Sequence, residues 1–185
     1  MRKKTLSLKS DKLNVGSGTD IREGYVNLDY YKFSGTDVIW NINKLPWSFP
    51  NNSFSEILLS HIIEHVDDVV STMNEIWRIS KPGAIIKIGV PYFTSLNAVK
   101  DPTHKHAFAA ATFDFFERGK LGKGNYFDES SKTNFKILKK NIIFSNNRFL
   151  KIFNPLCNFN QTFYERFLCY MFPAQVLEVK MKVLK

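Results

Sequence analysis

Leu13-Asn14-Val15-Gly16-Ser17-Gly18, followed closely by Val26-Asn27-Leu28-Asp29, is the stretch that decides the fold. Its first part, opened by Lys12, is a short apolar run that stops at paired glycines, as a strand does on entering a tight turn. Gly24 to Asp29 is a second strand, and it ends on an acid. In an open parallel sheet, ligands bind beyond the carboxyl ends of the strands, where the strand order reverses. Glycines there let the backbone approach a ligand. A carboxylate at the tip of the next strand accepts hydrogen bonds from ribose hydroxyls. Gly-x-Gly alone is weak evidence, because turns are rich in glycine; Asp29 beside it strengthens the case.

Working outward, Thr36 to Ile42 is a third strand rich in β-formers, and Pro46, Pro50, Asn51 and Asn52 mark a loop. Phe54 to Ser60 is a fourth strand, with the apolar end of a buried parallel strand. Val66, Val69, Met73, Ile76 and Trp77 then recur at helical spacing, with Asp67 or Asp68 as N-cap and Lys81-Pro82-Gly83 as breakers. Ala84 to Val90 is a fifth strand closed by Pro91. Such alternation predicts a parallel α/β sheet of Rossmann type. Beyond it, Ala107 to Phe116 reads as a helix and Phe135 to Phe144 as a strand. Leu177, Val179, Met181 and Val183 alternate with Glu178, Lys180 and Lys182, which is a strand's period of two. The two late strands suit an antiparallel hairpin at one edge, with 154–172 as a hydrophobic helical cover.

The chain has 185 residues and 15% aromatic positions, which suits one domain (1–185) with a real core and excludes a disordered chain. Residues 12–92 form a cofactor-binding half and 93–185 a substrate-side half with the closing hairpin. No run approaches a membrane span, and no signal peptide is legible, so a cytoplasmic setting is expected. The net charge of +9 is uneven. Residues 19–79 hold nine acids against four bases, whereas 118–151 hold nine bases against two acids. Charge alone therefore admits a nucleic acid or a peripheral membrane contact as partner, against the plainer alternative of solvated faces. The oligomeric state is not legible.

The dinucleotide fingerprint needs a third small residue where Ile21 stands, and a helix N-terminus for the pyrophosphate. Asp29 follows Gly16 by only thirteen positions, little room for a helix. A cofactor with ribose and adenine but no phosphate, S-adenosylmethionine, fits this shortened turn better than a nicotinamide dinucleotide. Leu13–Gly18, Val26–Asp29, Leu45-Pro46-Trp47, Asn52-Ser53-Phe54, Leu59-Ser60-His61-Ile62-Ile63-Glu64-His65 and Ile79–Gly83 also occur in order. Together they resemble the class I S-adenosylmethionine-dependent methyltransferases, in particular a small type-11-like family with Ser-His-x-x-Glu-His after strand four.

That resemblance implies a Rossmann-like seven-stranded α/β sheet of order 3-2-1-4-5-7-6 with strand seven antiparallel. It implies S-adenosylmethionine as cofactor. Asn14, Gly16 and Gly18 would lie around its methionine part, Asp29 on the ribose, Asn41 and Ile42 at the adenine, and Ser60 and His61 near the sulfonium. Asn14 and Asn41 stand where such enzymes often carry acids. The reaction implied is methyl transfer to an acceptor that the sequence does not name, with a small molecule or glycan intermediate favoured.

Two clusters offer acid–base chemistry. His61-Ile62-Ile63-Glu64-His65 also spells a zinc-peptidase motif, but it straddles a strand end and the sequence supplies no third ligand, so no metal is expected. His61 is expected to line the pocket, and Glu64 and His65 to hydrogen-bond the turn before the helix. Asp101-Pro102-Thr103-His104-Lys105-His106 follows strand five, where an acceptor would lie. His61 and His104 are the candidates to take a proton from the acceptor. Cys157 and Cys169 sit in core-like, phenylalanine-rich surroundings and do not read as nucleophiles. The alternative from another class is a methyltransferase-fold protein without catalysis that binds protein, RNA or an anionic membrane through its basic half.

Overall fold

The computed structural model describes residues 9–121, 133–145 and 147–185; residues 1–8 and 122–132, the latter within the basic 118–151 stretch, lie outside them, as does residue 146. Seven strands form one sheet: β1 (Lys12–Val15), β2 (Val26–Asp29), β3 (Val38–Ile39), β4 (Phe54–Ser60), β5 (Ser80–Pro91), β6 (Phe135–Ile143) and β7 (Val176–Val183). Their order is β3-β2-β1-β4-β5-β7-β6. Neighbours from β3 to β5 pair in parallel, and β7 runs antiparallel to both β5 and β6. This is the expected Rossmann-like methyltransferase sheet.

One face of the sheet carries the core. Leu13, Val15, Leu28, Ile57, Leu59, Ile86, Ile88, Val179 and Met181 are buried in one cluster with Met73, Ile76 and Ile79 of α1 (Val69–Ile79). Asp68 starts α1, its carboxylate accepting from the backbone of Val70 at 2.8 Å and of Ser71 at 3.2 Å. These bonds satisfy two of the orphan N–H groups of the first turn. Asp68→Ala is expected to cost about 1 kcal/mol. For a chain of this length that lowers the melting temperature by about 2–4 °C, measurable by thermal circular dichroism.

The other face departs from a sheet buried on both sides. Register places Asn14, Leu58, Lys87 and Lys180 side by side on it. Glu178, Lys180 and Lys182 are exposed there, and Leu58, Ser60 and Lys87 are half-buried, so among the described residues no helix packs over this stretch. The β1–β2 and β2–β3 connections are too short to carry helices and contain none. The loop after β1 covers its own part of the face instead. Asn14 Nδ2 donates to the Asp20 carbonyl (2.8 Å) and to Asn27 Oδ1 (3.1 Å), while Asn27 Oδ1 accepts from the Arg22 backbone (3.0 Å).

Other elements shift for identifiable reasons. The third strand shrinks from the expected Thr36–Ile42 to Val38–Ile39. β5 begins at Ser80, directly after α1, instead of at Ala84; Ser80 already pairs with Phe54, and a bulge with Gly83 at φ 79° absorbs the extra residues. The expected helix at 107–116 is a 3-10 helix, Ala110–Phe116. Its buried members Phe113 and Phe116 lie three residues apart, which puts them on one side of a three-residue turn. A second short helix, α2 (Leu96–Lys100), was not legible in the sequence.

The cover over 154–172 is a series of short helical turns, beginning with α3 (Asn154–Phe159). It guards the edge strand with side-chain amides: Asn158 accepts from Ile142 N and donates to Ile142 O, and Asn154 accepts from Phe144 N. Cys157, Tyr164 and Cys169 are buried, but Phe159, Tyr170 and Met171 are largely exposed, so the segment is only partly core. Lys136 pairs with Glu117 and Lys140 with Asp114, which neutralises part of the basic half internally. Among the described residues no helix is long and apolar enough to cross a membrane.

Candidate functional site

Beyond the carboxyl ends of β1, β2 and β3 lies a cavity of about 330 Å³. Gly16, Asp29, Asn41 and Ile42 all line it, although they come from separate connections. Gly16 turns the chain at φ 66°, and a Cβ there would stand 2.4 Å from the Ile62 side chain. Ile62 therefore packs directly on that glycine. Asp29 is held from both sides: Oδ2 accepts from Gly18 N at 2.7 Å and Oδ1 from Tyr31 N at 2.9 Å. Each oxygen retains a second lone pair for a ligand hydroxyl. Trp47, buried in the core, donates from Nε1 to the Ile42 carbonyl at 2.8 Å and so fixes the far wall. Tyr30, Tyr31 and Ile62 also line the cavity; no sequence signal marks them, since each only neighbours a motif residue.

The cavity's size falls within the usual range for small-molecule sites, about 300–1,000 Å³. A hydroxyl-accepting carboxylate beside apolar and aromatic walls suits a nucleoside. Gly18 does not line the cavity but positions Asp29. Asn14 is occupied on the other face of the sheet by the hydrogen bonds described above. Ser60 lines a separate depression of about 390 Å³ on that open face, with Arg22, Lys87, Lys139 and Lys180.

The histidines converge elsewhere. His61 follows β4 with φ 53°, uncommon for a residue other than glycine, and its half-exposed ring stands 3.5 Å (Nδ1) from Glu64 Oε1. The Glu64 carboxylate raises the His61 pKa above its ordinary value, against the opposing effect of burial. His104 reaches the same carboxylate, with Nε2 4.0 Å from Glu64 Oε1. The backbone explains the approach: the Glu64 carbonyl accepts from Lys105 N at 2.8 Å, which straps the 103–106 loop to the turn after β4. His65 packs edge-on to His104 with ring centroids 4.7 Å apart, and it also lines the cofactor-sized cavity. The side chains of Glu64 and His65 do not launch α1, which Asp68 does; His65 Nδ1 faces Thr103 instead. His106 donates from Nε2 to the Val66 carbonyl at 2.9 Å. Cys157 and Cys169 are buried, and desolvation pushes both thiols up, away from nucleophilic character.

Comparison with known proteins fits this geometry. Residues 13–88 match the methyltransferase-domain family. The matched segment runs from β1 into β5 and contains every cavity residue named above. The ubiquinone/menaquinone biosynthesis C-methyltransferase UbiE of Desulfotalea psychrophila is 30% identical over 70 residues, a match taking in 36% of this chain and 28% of that protein. The chain thus matches well under two thirds of this curated relative. A SAM-dependent methyltransferase from Archaeoglobus fulgidus superposes with TM-score 0.56 at 19% identity, covering 94% of this chain and 86% of the other. The [4+2]-cyclase SpnF superposes with TM-score 0.58 at 13% identity, over 97% of this chain and 77% of that one. These likenesses speak for the methyltransferase fold. The cyclase among them shows that this fold does not by itself fix the reaction.

Proposed function

We propose that the chain binds S-adenosylmethionine in the 330 Å³ cavity and transfers its methyl group to a small-molecule or glycan acceptor. The observation that carries this is the meeting of Gly16, Asp29, Asn41 and Ile42 on one cavity at the switch point of the sheet. Asp29 would accept the ribose hydroxyls, Ile42 would flank the adenine with Asn41 at its edge, and the glycine turn would let the backbone run close to the methionine part. The sulfonium supplies an already activated methyl group. The chain's work is then alignment and exclusion of water. His61, whose raised pKa keeps a proton longer than a free imidazole, would be the group to exchange a proton with an acceptor.

The test is calorimetric titration of the folded protein with S-adenosylhomocysteine. Micromolar binding at one site per chain is expected. Absence of binding at low salt would overturn the assignment and favour a non-catalytic binding module, for which the Lys87, Lys139 and Lys180 depression offers an anion-binding surface.

A further inference from the structure

Glu64 is 1% exposed, neither carboxylate oxygen has a hydrogen-bond partner, and its nearest imidazole, His61 at 3.5 Å, is half-exposed. A buried carboxylate is expensive unless it is paired or holds a metal. Imidazoles surround it. One ligand atom from each of Glu64, His65 and His104 lies within 4.8 Å of the other two. We infer that these three residues bind a divalent transition cation of the zinc class at the rim of the cofactor cavity.

The neighbours of both rings prepare them for it. His104 Nδ1 faces the Ala98 carbonyl at 3.2 Å. A carbonyl only accepts, so Nδ1 carries the proton and Nε2, the atom aimed at Glu64, is bare in the neutral ring. His65 Nδ1 likewise faces the Thr103 carbonyl at 3.3 Å and Thr103 Oγ1 at 3.0 Å, which leaves its Nε2 as the free lone pair. Orienting a histidine through its second nitrogen is how metal ligands are held. Asp101 adds negative charge, with Oδ2 3.8 Å from His104 Nε2.

Two imidazoles and one carboxylate select zinc-like ions over magnesium or calcium, which prefer all-oxygen sites. Zinc bonds of about 2.0–2.2 Å place donor atoms roughly 3.4 Å apart in a tetrahedron, so from separations of up to 4.8 Å the groups need to close by about 1.4 Å or less. The 4.0 Å between Glu64 Oε1 and His104 Nε2 is within reach of that adjustment. The sequence alone sets a metal aside for want of a third ligand. The fold supplies it by strapping the 103–106 loop to the Glu64 carbonyl.

Three protein ligands leave a fourth position for water or another oxygen. Because His65 belongs to both the cation site and the cavity wall, that oxygen would be an acceptor hydroxyl, whose proton the cation makes easier to lose. This last consequence rests on the methyl-transfer assignment; the cation binding does not.

The experiment is zinc titration of chelator-stripped protein in competition with a chromophoric chelator, without cofactor, beside Glu64→Gln and His104→Ala. One equivalent should bind per chain, with affinity falling at least about 100-fold in either variant. Saturating zinc, at about a thousand times Kd, should raise the wild-type melting temperature by about 8 °C or more. Metal-free Glu64→Gln should melt close to metal-free wild type, since relief of the buried charge offsets the lost 3.5 Å contact with His61. A melting temperature clearly below wild type would assign Glu64 a structural role and overturn the site. Substoichiometric zinc, or zinc binding unchanged in both variants, would overturn it too. S-adenosylhomocysteine binding, measured separately, keeps this outcome distinct from failure of the cofactor assignment.

Discussion

Asp29→Ala is expected to weaken S-adenosylhomocysteine binding at least about 100-fold while leaving the far-UV circular dichroism unchanged. The residue sits at the end of β2 with both carboxylate oxygens anchored, one by Gly18 N and one by Tyr31 N. Those two bonds remove the side chain's rotational freedom, so little ordering cost remains when a ligand arrives. Hydrogen bonds to an ionised group contribute about 1.5–3 kcal/mol each. Two ribose hydroxyls on one carboxylate therefore represent about 3 kcal/mol even at the low end, which is about two decades of affinity. The alanine variant also frees two N–H groups, so the loops around the cavity relax and the loss is not confined to the missing contact. Asp29→Asn separates the contributions. It keeps the shape but turns an amide NH2 toward one of the two backbone donors, and affinity between wild type and alanine is expected. An alanine variant that binds within threefold of wild type would sink the cofactor site.

The strand order and the Asp29 end of this site follow from local signals. Gly16 and Asp29 each close a short β-run, and the strand tips of a parallel sheet share one edge. β7 is equally plain, because Glu178, Lys180 and Lys182 alternate with buried Leu177, Val179 and Met181. That same alternation foretells a sheet face without cover, yet it only becomes decisive once Lys87 of β5 is known to lie beside Lys180. The histidine cluster is a different case. Glu64 and His104 are forty residues apart, and what unites them is a backbone hydrogen bond from Lys105 to the Glu64 carbonyl, which has no side-chain signature. Asn14 shows the converse. A polar residue in a strand beside a glycine turn looks like a ligand contact, but its partners are Asp20 and Asn27, set by how the following loop folds back over β1. Short-range pattern finds the edge of the sheet where a ligand sits; which polar side chains are consumed by the loops is decided at long range.

Glu75→Ala is expected to lower the melting temperature by roughly 5–15 °C, well beyond the effect of losing the Asp68 cap. Glu75 lies on α1, nearly fully buried, and accepts the backbone N–H of Trp47 at 2.7 Å. Its carboxylate also takes both arms of the Arg78 guanidinium, Nε at 2.8 Å and Nη2 at 2.6 Å. Arg78 in turn donates to the Phe49 carbonyl at 2.9 Å and to Asn51 at 2.6 Å, closing the whole 47–51 loop onto the helix. Removing the carboxylate strands the Trp47 N–H and leaves a half-buried guanidinium without its anion. Breaking a buried pair costs about 3–5 kcal/mol, and partial exposure of Arg78 reduces this to about 2–4 kcal/mol. Arg78→Lys should cost less than Glu75→Ala, because the charge survives while the two-armed contact and the loop carbonyls are lost. The consequence reaches the cavity, since Trp47 Nε1 holds the Ile42 carbonyl. A loosened Trp47 lets the Ile42 wall move, and S-adenosylhomocysteine binding should weaken in Glu75→Ala below its own unfolding temperature. Thermal unfolding and calorimetry on the same preparation check both effects. Unchanged stability would show that the 47–51 loop is held by Trp47 and Phe49 packing alone, with the ion pair as a bystander.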